Sequence, residues 1–482
     1  MTNVATQKRQ YSQYVHVIIM MALILFFKYV PPIGALTPLG MQTLGIFAGV
    51  VYGWSTVGMI FPSMIGILAF GFLDENTVLA TLGAAFGDQL TLIVLFFFLV
   101  STLVSEVGLS NYIAQWCVSR KFVVGKPWGI AVMFCIAGAI IAATVNLYAA
   151  MFLMWSIFYS FCDQAGFKPG DKYPMLVLVA ILYSCAVAGG IFPYMGLAIM
   201  VVAQLQSFLG LEINYFLYTI MQLFLVFVSI GAYILIAKYI FRPDVSLILH
   251  QKDNLNSNEE LKLTNHQKLV AGLILLLIVM LFLPELLPTS IAIIGFFKAL
   301  GITGVALAVL ILYYVFMLGH EDVVPITKLA QGLSWDMIFM FATIAPLSRA
   351  INNPDAGILT FINESMSSLL AGMSPFVFIV VLFFVSSCIT QFANNAVVMS
   401  VIGPIMYTLG DAIQVNPYVL TVLAVPFLSV AFMTPAASVP AAMAFSNKEW
   451  IGTKNAYKMG AVIFMVNMLM LVVGIPVAEL LF

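Results

Sequence analysis

The sequence predicts an all-α polytopic membrane protein built as an inverted repeat, with about 11 transmembrane helices plus two re-entrant hairpins. Three observations predict this. Of 482 residues, 63% are hydrophobic and only 8% charged, which leaves too little polar surface for a soluble domain. Apolar segments long enough to span a bilayer, roughly 20 residues each, recur along the chain between short polar breaks. Two of them carry asparagine in their middle, as Ala142-Ala143-Thr144-Val145-Asn146 and Gln391-Phe392-Ala393-Asn394-Asn395. Buried amides in hydrocarbon need partners, so the matched pair points to a two-sided site at membrane depth.

The first expected span, 14–32, follows Lys8 and Arg9 and lacks a small-residue cleavage signature, so it reads as a retained helix with a cytoplasmic N-terminus. Spans at 39–54, 56–73 and 89–107 return the chain to the cytoplasm at Arg120. A hairpin at 128–162 then enters and leaves on that side, keeping Lys168 and Lys172 inside. Spans 174–206 and 213–241 complete a first repeat, residues 1–241. The most polar stretch, 242–267, is a cytoplasmic linker. The second repeat, 268–482, continues with spans 268–288, 291–318 and 335–353, a hairpin at 374–411 entering from outside, and spans 416–446 and 456–481. An offset of about 248 residues places Asp88 on Asp336, Asn146 on Asn395 and Pro193 on Pro440. With opposite topology in the two copies, that is the pattern of an inverted repeat.

Each hairpin is followed by an interrupted apolar segment. Gly189-Gly190, Pro193 and Gly196 interrupt the first, and Thr434-Pro435, Ser438 and Pro440 the second. Glycine and proline release backbone groups from the helical ladder. Freed carbonyls suit a small hard cation, and the N-terminus of the following half-helix suits an anion. The same residues also fit plain proline kinks and amides that join helices. No lysine or arginine is expected at midplane depth, so an anion would be balanced by half-helix ends, amides and a bound cation. Glu106 and Arg349 read as interfacial or scaffold charges, Asp88 and Asp336 as caps of matching spans, and His16 as a packing residue. His320-Glu321-Asp322 reads as a solvated loop, the five cysteines as core, and the frequent Met and Phe residues as core and lipid-facing filler.

In these residues the chain resembles the divalent anion/sodium symporters, which carry di- and tricarboxylates or sulfate within the ion transporter superfamily. Each hairpin tip of that family bears Ser-Asn-Thr; here the tips read Val145-Asn146-Leu147 and Asn394-Asn395-Ala396, so the asparagines match and the hydroxyls do not. The second break, Thr434-Pro435-Ala436-Ala437-Ser438-Val439-Pro440-Ala441, is similar to the family's Leu-Pro-x-Ala-Thr-Pro-Pro-Asn, and the first matches at Gly189-Gly190 and Gly196. The resemblance implies a homodimer in which hairpins and broken helices move against a scaffold as an elevator. It implies two sodium ions as coupling ions, one held by Asn146 with Thr144, Gly189 and Gly190, the other by Asn395 with Thr390 and Thr434. The anion would lie between the tips, against Asn146, Leu147, Asn394, Asn395, Ala396, Ser438 and Pro440. Leu147 and Ala396 stand where family threonines contact the carboxylate, which implies a less polar pocket suited to a monocarboxylate, a different dicarboxylate or an inorganic oxyanion.

The expected function is therefore sodium-coupled import of a small organic (di)carboxylate or inorganic oxyanion across a cell inner membrane, with no nucleic-acid partner. Proton coupling and sodium/proton antiport call for a carboxylate or histidine in the transport path, and neither tip nor break carries one. Anion exchange is left open. An intramembrane enzyme would require a buried nucleophile and base or paired metal ligands, and the sequence shows no such set.

Overall fold

The computed structural model describes residues 2–73, 77–118, 125–249, 262–370, 372–435 and 437–482. Arg120, the 250–261 part of the linker and Ala436 lie outside them, as does the Cys117 side chain. Every regular element among the described residues is helical. Five helices are long and apolar enough to cross a bilayer: Pro127–Thr144, Tyr215–Phe241, Asn265–Leu286, Ala292–Phe316 and Thr453–Leu481. Shorter apolar helices, Lys172–Ala188 and Pro417–Ser429 among them, fill out the bundle. The chain is a multi-pass membrane protein.

The count of about 11 spans does not map onto 11 uninterrupted helices. The stretch 56–73 forms only Ile60–Phe70, 11 residues, which at 1.5 Å per residue is about half a hydrocarbon core. Ala292–Phe316 is kinked at Gly301, whose φ of 61° breaks the helical ladder.

Both hairpins are bounded by local capping chemistry. In the first, Pro127 opens the helix Pro127–Thr144, the chain turns at Val145-Asn146, and Leu147–Ala165 ends on Gly166 in the left-handed conformation. In the second, Ser374 caps Pro375–Thr390, the chain turns through 391–394, and Asn395–Ala412 returns. Each hairpin precedes a broken helix. The first is Lys172–Ala188 and Ala198–Leu209, the second Pro417–Ser429 and Val439–Ser446.

Buried polar side chains tie the two halves together. Gln222, on the long helix after the first broken one, donates from Nε2 to the Val422 carbonyl of the second broken helix at 2.6 Å. Reciprocally, Tyr183 of the first broken helix donates to Asn467 Oδ1, on the final helix, at 2.9 Å. Gln204 Nε2 reaches the Met399 carbonyl at 3.2 Å, and Tyr407 donates to Val201 O at 3.3 Å. All five side chains except Asn467 are 2% exposed or less, and Asn467 is 4% exposed, so these bonds form where water does not compete.

The loop 320–322 is less free than the sequence implies. Asp322 pairs with His266 Nδ1 at 3.4 Å, and His266 Nε2 meets the Tyr313 hydroxyl at 3.1 Å, tying loop to helix. Glu106 pairs with Lys328, consistent with a scaffold charge. His16 packs on Tyr52 and hydrogen-bonds its hydroxyl at 2.7 Å. Cys135, Cys162 and Cys185 are buried, and Cys388 is half-buried.

Candidate functional site

The turn of the first hairpin ends on Asn146, whose side-chain oxygen accepts from the backbone N–H of Tyr148 at 2.8 Å and of Ala149 at 3.1 Å. Asn146 is thus the N-cap of the returning helix, and its Oδ1 is occupied by two donors. Neighbouring oxygens are partnered as well. Ser101 donates to the Val145 carbonyl, and Tyr218 donates to the Gly190 carbonyl at 2.9 Å. Thr144 donates back to Ile140 O within its own helix at 2.7 Å.

The break beside it needs its glycines. Gly196 sits at φ +54°, and a Cβ there would lie 2.6 Å from the Gly189 carbonyl. A Cβ at Gly190 would meet Val425 of the opposite broken helix at 2.4 Å. The Val425 side chain packs against the Gly190 backbone only because this position carries no side chain.

The second tip is built differently. Asn394 caps the returning helix by accepting from Ala396 N–H at 2.9 Å. Asn395 donates from Nδ2 to the Ser429 carbonyl, at the end of the first half of the broken helix, at 2.6 Å. That leaves Asn395 Oδ1 buried with no hydrogen-bond partner, and Ser429 Oγ is buried and unpartnered too. Gln391, 2% exposed, clamps the break: its Oε1 accepts from Phe432 N–H at 3.0 Å and Met433 N–H at 2.9 Å, and its Nε2 donates to Ser387 O at 2.8 Å. Thr434 closes the loop by donating to the Gln391 carbonyl. Thr390 is fully buried and donates to Ser387 O at 2.9 Å. Ser438 caps the last half-helix at Ala441 N–H, 3.2 Å, while donating to Ala431 O at 2.5 Å. Pro440 lies in the first turn of that half-helix, where a missing N–H costs nothing.

Both tips and both breaks line one cavity of about 600 Å³. Asn146, Leu147, Gly189, Gly190, Asn394, Asn395, Ala396, Ser438 and Pro440 all face it. Thr144, Thr390 and Thr434 do not; their hydroxyls are bonded to carbonyls of the surrounding backbone. Much of the remaining wall comes from the helices Gln89–Glu106 and Trp335–Asn352 through Phe97, Phe98, Met337, Met340 and Phe341, joined by Tyr194 from the first break. Sequence reading treats such residues as filler, and only the packing of these helices beside the tips gives them a site to line. Asp336, expected as a helix cap, instead sits in the first turn of Trp335–Asn352 with its exposed residue on the cavity edge. Among the described lining residues there is no lysine, arginine or histidine. Gln391 is the residue that sequence reading misses. Its only signal is a polar residue one step after Thr390, because its bond partners lie 41 and 42 residues away.

Residues 12–425 match the family model CitMHS, described as citrate transporter. The chain belongs to this citrate transporter family. A sodium-dependent dicarboxylate transporter, SdcS, of Staphylococcus saprophyticus is 24% identical over 408 residues, 81% of this chain and 76% of that protein. SdcS of Staphylococcus aureus is 26% identical over 150 residues, which spans 31% of this chain and 28% of the relative. Among solved structures, the YdaH transporter of Alcanivorax borkumensis superposes with a TM-score of 0.57 at 13% identity, covering 92% of this chain and 97% of that one, and so shares the fold. These matches agree with the resemblance to divalent anion/sodium symporters, and the citrate transporter relatives are transporters rather than enzymes.

Proposed function

We propose that this citrate transporter family member imports a small carboxylate coupled to sodium, with the cation at the second hairpin tip. One observation carries the reading: Asn395 Oδ1 and Ser429 Oγ are buried beside the cavity with no hydrogen-bond donor. An orphaned buried acceptor costs about 1–3 kcal/mol, and a small hard cation removes that cost by taking both oxygens as ligands. Sodium dependence in the SdcS relative supports the same choice of ion. At the first tip Asn146 Oδ1, the Thr144 hydroxyl and the Gly190 carbonyl already have partners, which leaves the Nδ2 amide of Asn146 as a donor for the anion. The cation at one tip then balances the anion between the two.

In this reading the two halves form an inverted repeat, the hairpins and broken helices move together as an elevator, and the protein works as a homodimer with its N-terminus in the cytoplasm. In the same reading the start of Trp335–Asn352, which lines the cavity, lies toward the cytoplasm by the basic-residue pattern.

The test is the melting temperature of purified protein in sodium against choline, with and without succinate, malate, citrate, lactate, sulfate and phosphate. Sodium at ~100 times its Kd stabilises the folded state by ~2.7 kcal/mol, and a carboxylate should enlarge the shift. A response that follows pH and ignores sodium sinks the reading.

A further inference from the structure

Resting on the sodium-coupled carboxylate reading, we propose that the substrate is a monocarboxylate with an apolar, ring-bearing body, and that Asp336 selects against a second carboxylate. The donors point this way first. At the tips, Asn146 Oδ1 and Asn394 Oδ1 each cap a helix, and Ser438 Oγ is bonded on both its sides. What these caps leave unused on Asn146 and Asn394, which both line the cavity, is the Nδ2 amide of each. Two such donors match the two oxygens of a single carboxylate. Leu147 and Ala396, which also line the cavity at the tips, bring no polar side chain.

The rest of the cavity is built for an apolar body. Tyr194 stacks on Phe97 at 4.5 Å between ring centroids and on Phe192 at 5.3 Å. Phe97 and Tyr194 are 5% and 4% exposed, so their position in the wall is fixed by packing. Tyr148, by contrast, is 40% exposed and lines the cavity at the first tip, two residues from Asn146. Its ring is poised to cover a substrate whose carboxylate sits at the amides, burying apolar area on both partners. A dicarboxylate would have to place its second charge along this wall, where the charged side chain on the cavity edge is Asp336, itself a carboxylate. Like charges in a partly desolvated cleft repel, and no basic lining residue offsets them.

The experiment titrates purified protein in saturating sodium with phenylacetate, 3-phenylpropionate, 4-methylpentanoate, acetate, succinate and citrate. The aryl acids should bind at least about tenfold tighter than acetate and succinate, which is ~1.4 kcal/mol for the buried ring. Tyr148→Ala should remove about tenfold from the aryl acids and leave acetate unchanged, while Tyr148→Phe keeps the ring and the affinity. Asp336→Asn should raise succinate affinity and leave phenylacetate where it was. A sodium-only melting shift retained in each variant shows that it is folded. Succinate or citrate binding tighter than every monocarboxylate, with sodium dependence intact, overturns the substrate class and leaves the coupling reading standing. Absence of any sodium or anion response overturns both.

Discussion

The two hairpin tips carry the same asparagine in the same place, and the structure uses it in opposite ways. Asn146 uses its oxygen to cap its helix, which leaves its amide hydrogens out of the cap at a residue that lines the cavity. Asn395 holds the next helix with its amide hydrogens and leaves its oxygen buried and unpaired. The reason lies one residue earlier. At the second tip Asn394 does the capping, which releases Asn395 from it; at the first tip the preceding residue is Val145, whose side chain cannot cap. A doubled asparagine thus adds an unpaired acceptor at the second tip while the capping role is kept. Donor and acceptor are what an anion and a cation require, so the difference between the tips matches co-transport of opposite charges.

The largest expected effect comes from removing what holds the acceptor tip open. Gln391→Leu keeps the volume but strands the Phe432 and Met433 N–H groups, each worth about 1–3 kcal/mol when buried and unpaired, for a total of about 2–6 kcal/mol. We expect a lower melting temperature and loss of the sodium-dependent shift together. Gln391→Glu still accepts from both N–H groups, so it should recover most of the stability. Equal damage by Leu and Glu would mean that the clamp does not act through its oxygen. The first tip has no counterpart, since Ala142 stands at the equivalent place, and its neighbourhood should tolerate change better.

Next in size is the coupling ion itself. Asn395→Ala removes the unpaired oxygen and the bond to Ser429 O, so the ~2.7 kcal/mol that sodium contributes at ~100 Kd should vanish from the melting curve. Ser429→Ala, which deletes the second orphaned oxygen, should weaken the sodium response without abolishing it. Thr144→Val and Thr390→Val serve as the contrast. Both hydroxyls are bonded to backbone carbonyls away from the cavity, and neither change should alter the sodium midpoint. A midpoint that moves with Thr390 would return that residue to the ligand set.

The contrast also explains what the sequence can and cannot disclose. Helix ends are legible because their causes are local: Pro127, Gly166, Ser374 and Asn394 each act within three or four residues of where they stand. The asparagines and the Gly and Pro breaks announce themselves because amides and broken ladders are costly in hydrocarbon. What an amide does with its oxygen is another matter, since that depends on whether a neighbour already caps the helix and on a carbonyl 34 residues away, Ser429 O. Gln391, the aromatic wall around Phe97 and Tyr194, and the His266–Asp322 pair share this property. Each is defined by partners far along the chain, and composition alone reads them as filler or solvated loop. The short helix Ile60–Phe70 fails for a related reason: its apolar run is continuous with its neighbours, and only packing decides where it bends.

The smallest effect expected is the most discriminating one for the donor tip. Asn146→Ala removes the cap and the amide hydrogens together, and should lower stability by about 1 kcal/mol while weakening the anion. Asn146→Ser separates these roles. The serine hydroxyl still caps the helix, so the melting temperature without ligand should stay near that of the parent protein. The shorter side chain no longer brings a second donor to the cavity, and loss of a hydrogen bond to a charged carboxylate, about 1.5–3 kcal/mol, should weaken anion binding by roughly tenfold or more. The sodium response without anion should be unchanged in both variants, because the acceptor oxygens lie at the other tip. If Asn146→Ser instead loses the sodium response and keeps the anion, the two tips have been assigned the wrong way round, and the charge placed at each must be exchanged.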